Sequence, residues 1–293
     1  MSEASQDVIG VIGVGLLGNA LCHRLHKAGQ TVIGYDIRTS QLEPLLHLGG
    51  QAAGSISEVA NAANVIILSL PDSTISKRVC SELANSAASQ ATVIDTTTGT
   101  PEDAIENAKL LGEQDILFMD ATVAGASTQV QEGAGVLMVG GDPQVFKQHS
   151  LLLNTISDVI FHVGPIGSGC RLKLVVNLAL GLNRAVLAES LALAAAVGIP
   201  MQTALEVLKA TPAYSAAMDV KGKKMIDKDF SPQARLTQHR KDVKLIRRLA
   251  AQHQQNLPLS NLHAKLLDAA IEAGYGDLDN SAIYKVIQDN LSS

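Results

Sequence analysis

Two groups of residues in this chain have the types and spacing needed for chemistry. The first is Gly13-Val14-Gly15-Leu16-Leu17-Gly18, which follows an apolar run and opens a helical one. In that G-x-G-x-x-G context the first glycine permits a tight turn and the second lets backbone approach a pyrophosphate. The third lets the helix pack closely on the strand, and the helix N-terminal amides face the phosphate charge. A second apolar run ends at Asp36, where a carboxylate can accept hydrogen bonds from an adenosine ribose. These features predict a bound dinucleotide. Asp36 would repel the extra phosphate of NADP, and Ile37 stands where an arginine would attract it, so NAD is the expected cofactor. Arg38 could still turn toward a phosphate, which leaves NADP open. The second group is Lys173 and Asn177, four residues apart on a predicted helix, so that both side chains emerge on one face and can meet one small ligand.

The elements that must position these groups are legible as patterns. Val8–Ile12, Thr31–Tyr35, Val65–Leu70, Thr92–Ile94 and Ile116–Met119 are nearly continuous in apolar residues and read as strands buried on both faces. Val136–Val139 and Val159–Val163 read as further strands. Helical spacing between the runs predicts a β-α-β rhythm and a doubly wound parallel sheet. After Gly164-Pro165 the rhythm changes. Leu172–Val197 contains no proline and is closed by Gly198 and Pro200, predicting one long helix. Periodic runs at Met201–Lys209, Val243–Ala251, Leu262–Ala273 and Ser281–Ile287 predict helices only. The fold class expected is α/β: an N-terminal Rossmann domain over residues 1–165, then a long interdomain helix opening an all-helical substrate and oligomerisation domain over residues 166–293.

Composition sets outer bounds. The 293 residues are 46% hydrophobic and 17% charged, as expected of a globular protein rather than a disordered chain or a fibre. Aromatics at 3% and a net charge of -5 argue against single-strand stacking platforms and phosphate-backbone binding, so no nucleic-acid partner is expected. Cys22, Cys80 and Cys170 are widely spaced with no C-x-x-C pair, indicating neither a disulfide framework nor a cysteine zinc site, and no metal is expected. The polar N-terminus resembles no signal peptide, and no uninterrupted apolar run reaches membrane-spanning length, so the expected compartment is the cytoplasm, with no membrane partner.

Several ordered motifs raise the specificity of this reading. Besides the glycines they are Leu68-Ser69-Leu70-Pro71, Asp95-Thr96-Thr97-Thr98-Gly99-Thr100-Pro101, Asp120-Ala121-Thr122-Val123-Ala124-Gly125-Ala126 and Met138-Val139-Gly140-Gly141. Gly164-Pro165-Ile166-Gly167-Ser168-Gly169 leads to Lys173, and Lys241-Asp242 comes late. In this order and spacing, over nearly the whole chain, the sequence resembles the β-hydroxyacid dehydrogenase family. The resemblance implies a Rossmann domain joined by the long helix to a helical domain, a cleft between them for nicotinamide and a small hydroxyacid, and a homodimer or homotetramer. It implies Lys173 as the acid/base acting on the substrate oxygen and Asn177 as orienting the lysine or that oxygen. Hydride leaving a carbinol carbon requires a proton to leave its oxygen, and burial beside oxidised nicotinamide disfavours the ammonium form. It places Leu70, Pro71 and Thr98 along the cofactor, brings Lys241 to it from the helical domain, and assigns the substrate to Thr122, Ala124, Gly125, Ala126 and Ser127.

The family commonly has Ser-Gly-Gly where this chain has Ala124-Gly125-Ala126, so a hydroxyl for the substrate carboxylate is missing. Ser127 or Thr128 could replace it, while Ala126 narrows the allowed backbone angles. Val176 replaces one of two successive asparagines. An imine reductase is one alternative, although such relatives carry an aspartate or tyrosine in place of Lys173; a non-catalytic dinucleotide-binding sensor or scaffold is another. Asp95 and Asp120 are expected to hold loop amides, His23 and His26 to lie on the surface, and His239, Arg240, Lys244, Arg247 and Arg248 to be solvated helix charges.

Overall fold

In a computed structural model, which describes residues 8–290, the chain divides into two compact units, Met1–Lys173 and Leu174–Ser293. The first begins β1 (Val8–Ile12), α1 (Leu16–Lys27), β2 (Thr31–Tyr35), α2 (Glu43–His47), β3 (Gln51–Ala52), α3 (Ile56–Ala62) and β4 (Val65–Leu68). It continues with α4 (Ser73–Leu83), β5 (Thr92–Asp95), α5 (Pro101–Gly112), β6 (Leu117–Ala124), α6 (Ser127–Gln131) and β7 (Val136–Gly140). Then come α7 (Pro143–Gln148), α8 (Ser150–Ile156), β8 (Val159–Gly164) and α9 (Ser168–Ala196), the helix that crosses into the second unit. That unit adds α10 (Met201–Ala210), α11 (Ala216–Ile226), α12 (Leu236–Gln252), α13 (Pro258–Glu272) and α14 (Ile283–Asn290).

The sheet has eight strands in the order β3-β2-β1-β4-β5-β6-β7-β8. Its chain order reverses beside β1, which opens a crevice at the carboxyl ends of β1 and β4, the place where open α/β sheets bind ligands. The alternation of β1 explains why both faces are covered. Ile9 and Val11 join Leu21 and Leu25 of α1 in one core, whereas Ile12 joins Val59 of α3 and Val79 of α4 in the other. Gly10 lies on that second face because a Cβ there would meet Val59 Cγ1.

The sheet departs from the expected wholly parallel form at one pair, since β6 and β7 run antiparallel while the other pairings are parallel. The connection through α6 is too short for a crossover, so the chain turns back on itself. β6 also runs to Ala124, beyond the expected Met119, because Asp120 and Thr122 are buried and hydrogen-bonded rather than solvated. β4 ends at Leu68, short of the expected Leu70. The two-residue β3 carries no apolar run to announce it.

The helical unit is built around Leu187 and Leu191 of α9. Leu205 of α10, Met218 and Met225 of α11, Val243 of α12, Leu267 of α13 and Tyr284 of α14 close on them. α11 escaped the periodicity because its buried face includes Lys221 and Gly222 in a helix with three lysines. α12 begins seven residues before the expected Val243, in a stretch whose charges mask its period. α9 starts earlier than expected, at Ser168, and stops before Gly198, whose φ of +78° no helix continues. By length and composition α9 is apolar enough to cross a membrane, although a third of its most apolar window is buried inside the protein.

Candidate active site

The glycine turn is built as its residue types require. Gly13 adopts φ +90° and donates its amide to Tyr35 O at 2.8 Å, fastening the turn to the end of β2. Gly18 packs against Gly13 O, so closely that a Cβ could not be placed there without moving the turn. Gly15 caps α1, and among the described residues nothing lies within 4 Å of where its Cβ would stand, so the backbone has open space beside it. Leu16 is exposed and Leu17 half-buried, on either side of that opening. Asp36 does more than wait for a ribose: its Oδ2 accepts the Val14 amide at 2.9 Å and its Oδ1 accepts the Arg38 amide at 2.9 Å. The carboxylate therefore clamps the turn to the end of β2, and its remaining lone pairs are what a sugar hydroxyl would meet. Ile37 is 85% exposed, and Arg38 Nε stands 3.9 Å from Asp36 Oδ1. These residues fit a dinucleotide, whose pyrophosphate Gly13–Gly18 would cradle.

The loops after β4 and β5 meet beside this turn. Leu70 donates its amide to Thr97 Oγ1 at 3.2 Å, and Thr97 donates its own to Asp95 Oδ1 at 2.9 Å. Asp95 Oδ2 takes the Ser76 hydroxyl at 2.5 Å, and burial raises the Asp95 pKa above the usual carboxylate range against the pull of these donors. Asp95 thus holds loop amides, as expected of it, and carries the segment of Leu70, Pro71 and Thr98. Pro71 is exposed and Thr98 half-buried.

Asp120 has the same kind of task. Its two oxygens accept the amides of Gly167 at 2.7 Å and Cys170 at 2.8 Å, and burial pushes its pKa up to about 6. The amides belong to the turn that starts α9, so the carboxylate fixes the helix that carries Lys173. Thr122 is fully buried and donates its hydroxyl to Gly169 O at 3.0 Å; that hydroxyl serves the helix start in place of the expected ligand contact. At the exposed end of β6, Gly125 adopts φ +147°, a conformation that favours glycine. Ala126 sits at φ -71° and ψ 155°, ordinary extended backbone, so the expected narrowing carries no strain. Its amide is taken by Gln129 Oε1 at 2.8 Å, and Ala124 and Ser127 beside it are half-buried.

Lys173 and Asn177 are both buried on α9. Asn177 donates its side-chain amide to Asp242 Oδ2 at 2.9 Å, leaving its carbonyl oxygen as the acceptor on the other edge of the group. Lys241 Nζ stands 3.9 Å from Asp242 Oδ1. Asp242 was visible in sequence only as the neighbour of Lys241, and its role in orienting Asn177 required the fold.

The basic segment of α12 departs from the expected row of solvated charges. His239 is buried, its ring 5.2 Å from that of His263 on α13. A Cβ on Gly181 would stand 2.5 Å from His239 Nε2 and 2.8 Å from His263 Cε1, so a glycine on α9 makes room for both rings. Arg240 is paired with Asp268 through two hydrogen bonds of 2.6 and 2.8 Å. Lys244, Arg247 and Arg248 are exposed, as expected. On α1, His26 is exposed, whereas His23 is half-buried with an Nδ1 that finds no hydrogen-bond partner among the described residues.

Residues 8–164 match the family model of the NAD-binding domain of 6-phosphogluconate dehydrogenase, and residues 167–287 match that described as NAD-binding of NADP-dependent 3-hydroxyisobutyrate dehydrogenase. Fold and site together define an oxidoreductase that binds a nicotinamide dinucleotide. The chain belongs to the β-hydroxyacid dehydrogenase family. It is 32% identical over 282 residues to 2-(hydroxymethyl)glutarate dehydrogenase of Eubacterium barkeri, covering 95% of this chain and 94% of that protein. It is 24% identical to the cytokine-like nuclear factor N-PAC of Drosophila melanogaster over 96% of this chain, which spans only 47% of that longer protein. A crystal structure of 3-hydroxyisobutyrate dehydrogenase from Salmonella typhimurium superposes with a TM-score of 0.90 at 25% identity, covering 96% of this chain and 99% of that one.

Burial, joined by the positive charge of Arg184, pushes His263 down to about 4 from its ordinary 6.5. Below pH 6.5 the unfolded chain takes up a proton that the folded ring refuses, so this stability is full above pH 6.5 and is lost as the pH falls toward 4. The variant His263→Gln is expected to flatten the fall of unfolding free energy across that window in urea titrations, and an unchanged slope would exonerate His263.

Proposed function

We propose that this protein interconverts a small 3-hydroxy acid and its semialdehyde or keto acid, with Lys173 as general acid/base. The observation that carries the reading is a buried lysine on the same helix face as Asn177, whose amide Asp242 holds in one orientation. The nicotinamide, when bound, supplies the two-electron acceptor or donor. In the oxidative direction Lys173 Nζ takes the proton from the carbinol hydroxyl as the C–H electron pair leaves with its hydrogen; in reduction it returns that proton to the new alkoxide. Asn177 offers its carbonyl oxygen to the lysine or to the substrate hydroxyl. Gly125 and the Ser127 hydroxyl hold the substrate carboxylate, Ser127 standing in for the hydroxyl that Ala124 lacks. Relatives named for 2-(hydroxymethyl)glutarate and 3-hydroxyisobutyrate support this substrate class.

A second reading is favoured by Ala124 and Ala126 and by the relative named as a nuclear factor: a dinucleotide-binding protein without turnover. The variant Lys173→Ala separates the two. Under the dehydrogenase reading it lowers kcat by roughly 10²–10⁴ while cofactor fluorescence titrates as in the parent. Unchanged turnover removes Lys173 from the chemistry, and tight cofactor binding with no turnover across a panel of hydroxyacids makes the protein a binder.

The preferred cofactor in this proposal is NAD, because the 2′-phosphate of NADP would meet the Asp36 carboxylate. The family model named for an NADP-dependent enzyme points the other way. The expected kcat/KM for NAD exceeds that for NADP by roughly tenfold, from about 1 kcal/mol or more of charge repulsion near the surface; equal values would overturn the preference. We also assign a soluble cytoplasmic homodimer or homotetramer. Exposed Val175, Val186, Leu193 and Val197 along α9 and its end support self-association, and three buried free cysteines suit a reducing compartment. Sedimentation of a cleared lysate and of the purified protein tests this, and a monomer or a membrane-pelleted chain would contradict it.

A further inference from the structure

β6 ends at Ala124, and the chain passes through Gly125 and Ala126 into α6, whose third residue is Gln129. A Cβ placed on Gly125 would stand 3.5 Å from Gln129 Oε1 and 3.7 Å from Gln129 Cβ, so the glutamine side chain lies alongside that glycine. Gln129 Oε1 accepts the Ala126 amide at 2.8 Å. A backbone N–H can be met only by the carbonyl edge of a side-chain amide, so this one bond fixes which way round the group stands. The NH2 edge is turned away from the Ala126 amide, and neither of its donors has a hydrogen-bond partner among the described residues. Gln129 is exposed, and the whole arrangement belongs to the first unit.

Two N–H donors held beside a glycine suit a carboxylate. Its two oxygens offer about four lone-pair sites, and a hydrogen bond to an ionised acceptor is roughly twice as strong as one between neutral groups. Ordering a long side chain normally costs rotamer freedom when a ligand binds. Gln129 has already lost much of that freedom to Ala126, so its NH2 edge is set in place before any acid arrives.

We propose that Gln129 binds the carboxylate of the acid through its side-chain NH2, joining Ser127 in place of the hydroxyl that Ala124 lacks. For the identity of the acid this rests on the dehydrogenase reading above; for the capture of a carboxylate it does not. The isosteric variant Gln129→Glu separates the contact from a purely structural cap. A glutamate oxygen accepts the Ala126 amide as the glutamine oxygen does, while the NH2 edge becomes an oxygen that repels an acid. Gln129→Met removes both the cap and the donors.

Ligand-observed NMR titration of the NAD-loaded protein with isobutyrate, a carboxylate with no hydroxyl to oxidise, reads the contact without turnover. Isobutyrate is expected to bind the parent, and Gln129→Glu should weaken it roughly tenfold or more at fixed ionic strength, with Tm retained. Isobutyramide, which has no charge to repel, should bind Gln129→Glu no worse than the parent. Gln129→Met should fall between the two proteins in affinity for isobutyrate. Equal isobutyrate binding by the parent and Gln129→Glu, or none by the parent, overturns the proposal. If one variant fails to fold the other decides: affinity kept without the NH2 overturns the contact, and affinity lost supports it. Weakened isobutyrate binding in Gln129→Glu without turnover of any hydroxyacid would keep the contact and retire the dehydrogenase. Hydroxyacid turnover with KM unchanged in Gln129→Glu would do the reverse.

Discussion

The amides of Gly167 and Cys170 enter the carboxylate of Asp120, and the placement of Lys173 depends on them. Lys173 lies one helical turn beyond Cys170, so whatever fixes the first turn of α9 fixes the lysine. A buried carboxylate loses the solvation of its charge, and its raised pKa records that loss. Hydrogen bonds to a charged group contribute about 1.5–3 kcal/mol each, enough to offset much of it. Close approach is also required. A Cβ on Gly169 would stand 2.5 Å from Met138 O and 2.8 Å from Asp120 Oδ2, so glycine at the helix start is a steric necessity.

Asp36 and Asp95 repeat this device at the ends of other strands. Each carboxylate closes on backbone amides of the loop beside it, and the loops lie at the carboxyl ends of β1, β4 and β5, where the reversal of strand order opens a crevice. Asp36, Asp95 and Asp120 thus act as fasteners. What they fasten is a backbone surface, open at Gly15, on which a phosphate finds amides rather than side chains.

The helical unit handles charge differently. Lys221 and Asp279 form a buried pair with every lone pair of the carboxylate occupied, an arrangement that specifies how the short 3-10 turn Asn280–Ala282 and α11 meet. Such pairs add specificity more reliably than net stability. Gly181 gives the two imidazoles of His239 and His263 their room.

Local pattern sufficed for the glycine turn, the buried strands, the long helix and the helix face shared by Lys173 and Asn177. Each follows from steric rules acting over a few residues: an apolar run needs burial on both sides, glycine is needed where φ is positive, and side chains four apart on a helix are neighbours. The direction of β7, the length of β6 and the existence of α11 were not legible, because antiparallel return and the burial of Asp120, Thr122 and Lys221 depend on partners distant in sequence. Nor could sequence separate the interior His239 from the exposed Arg247, since both read as solvated charges until the neighbours of an amphipathic helix are known. By itself the sequence determined which atoms were available and the local shapes that present them. Tertiary structure alone decided which polar groups lose water and which partner replaces it, because desolvation depends on everything that packs around a group.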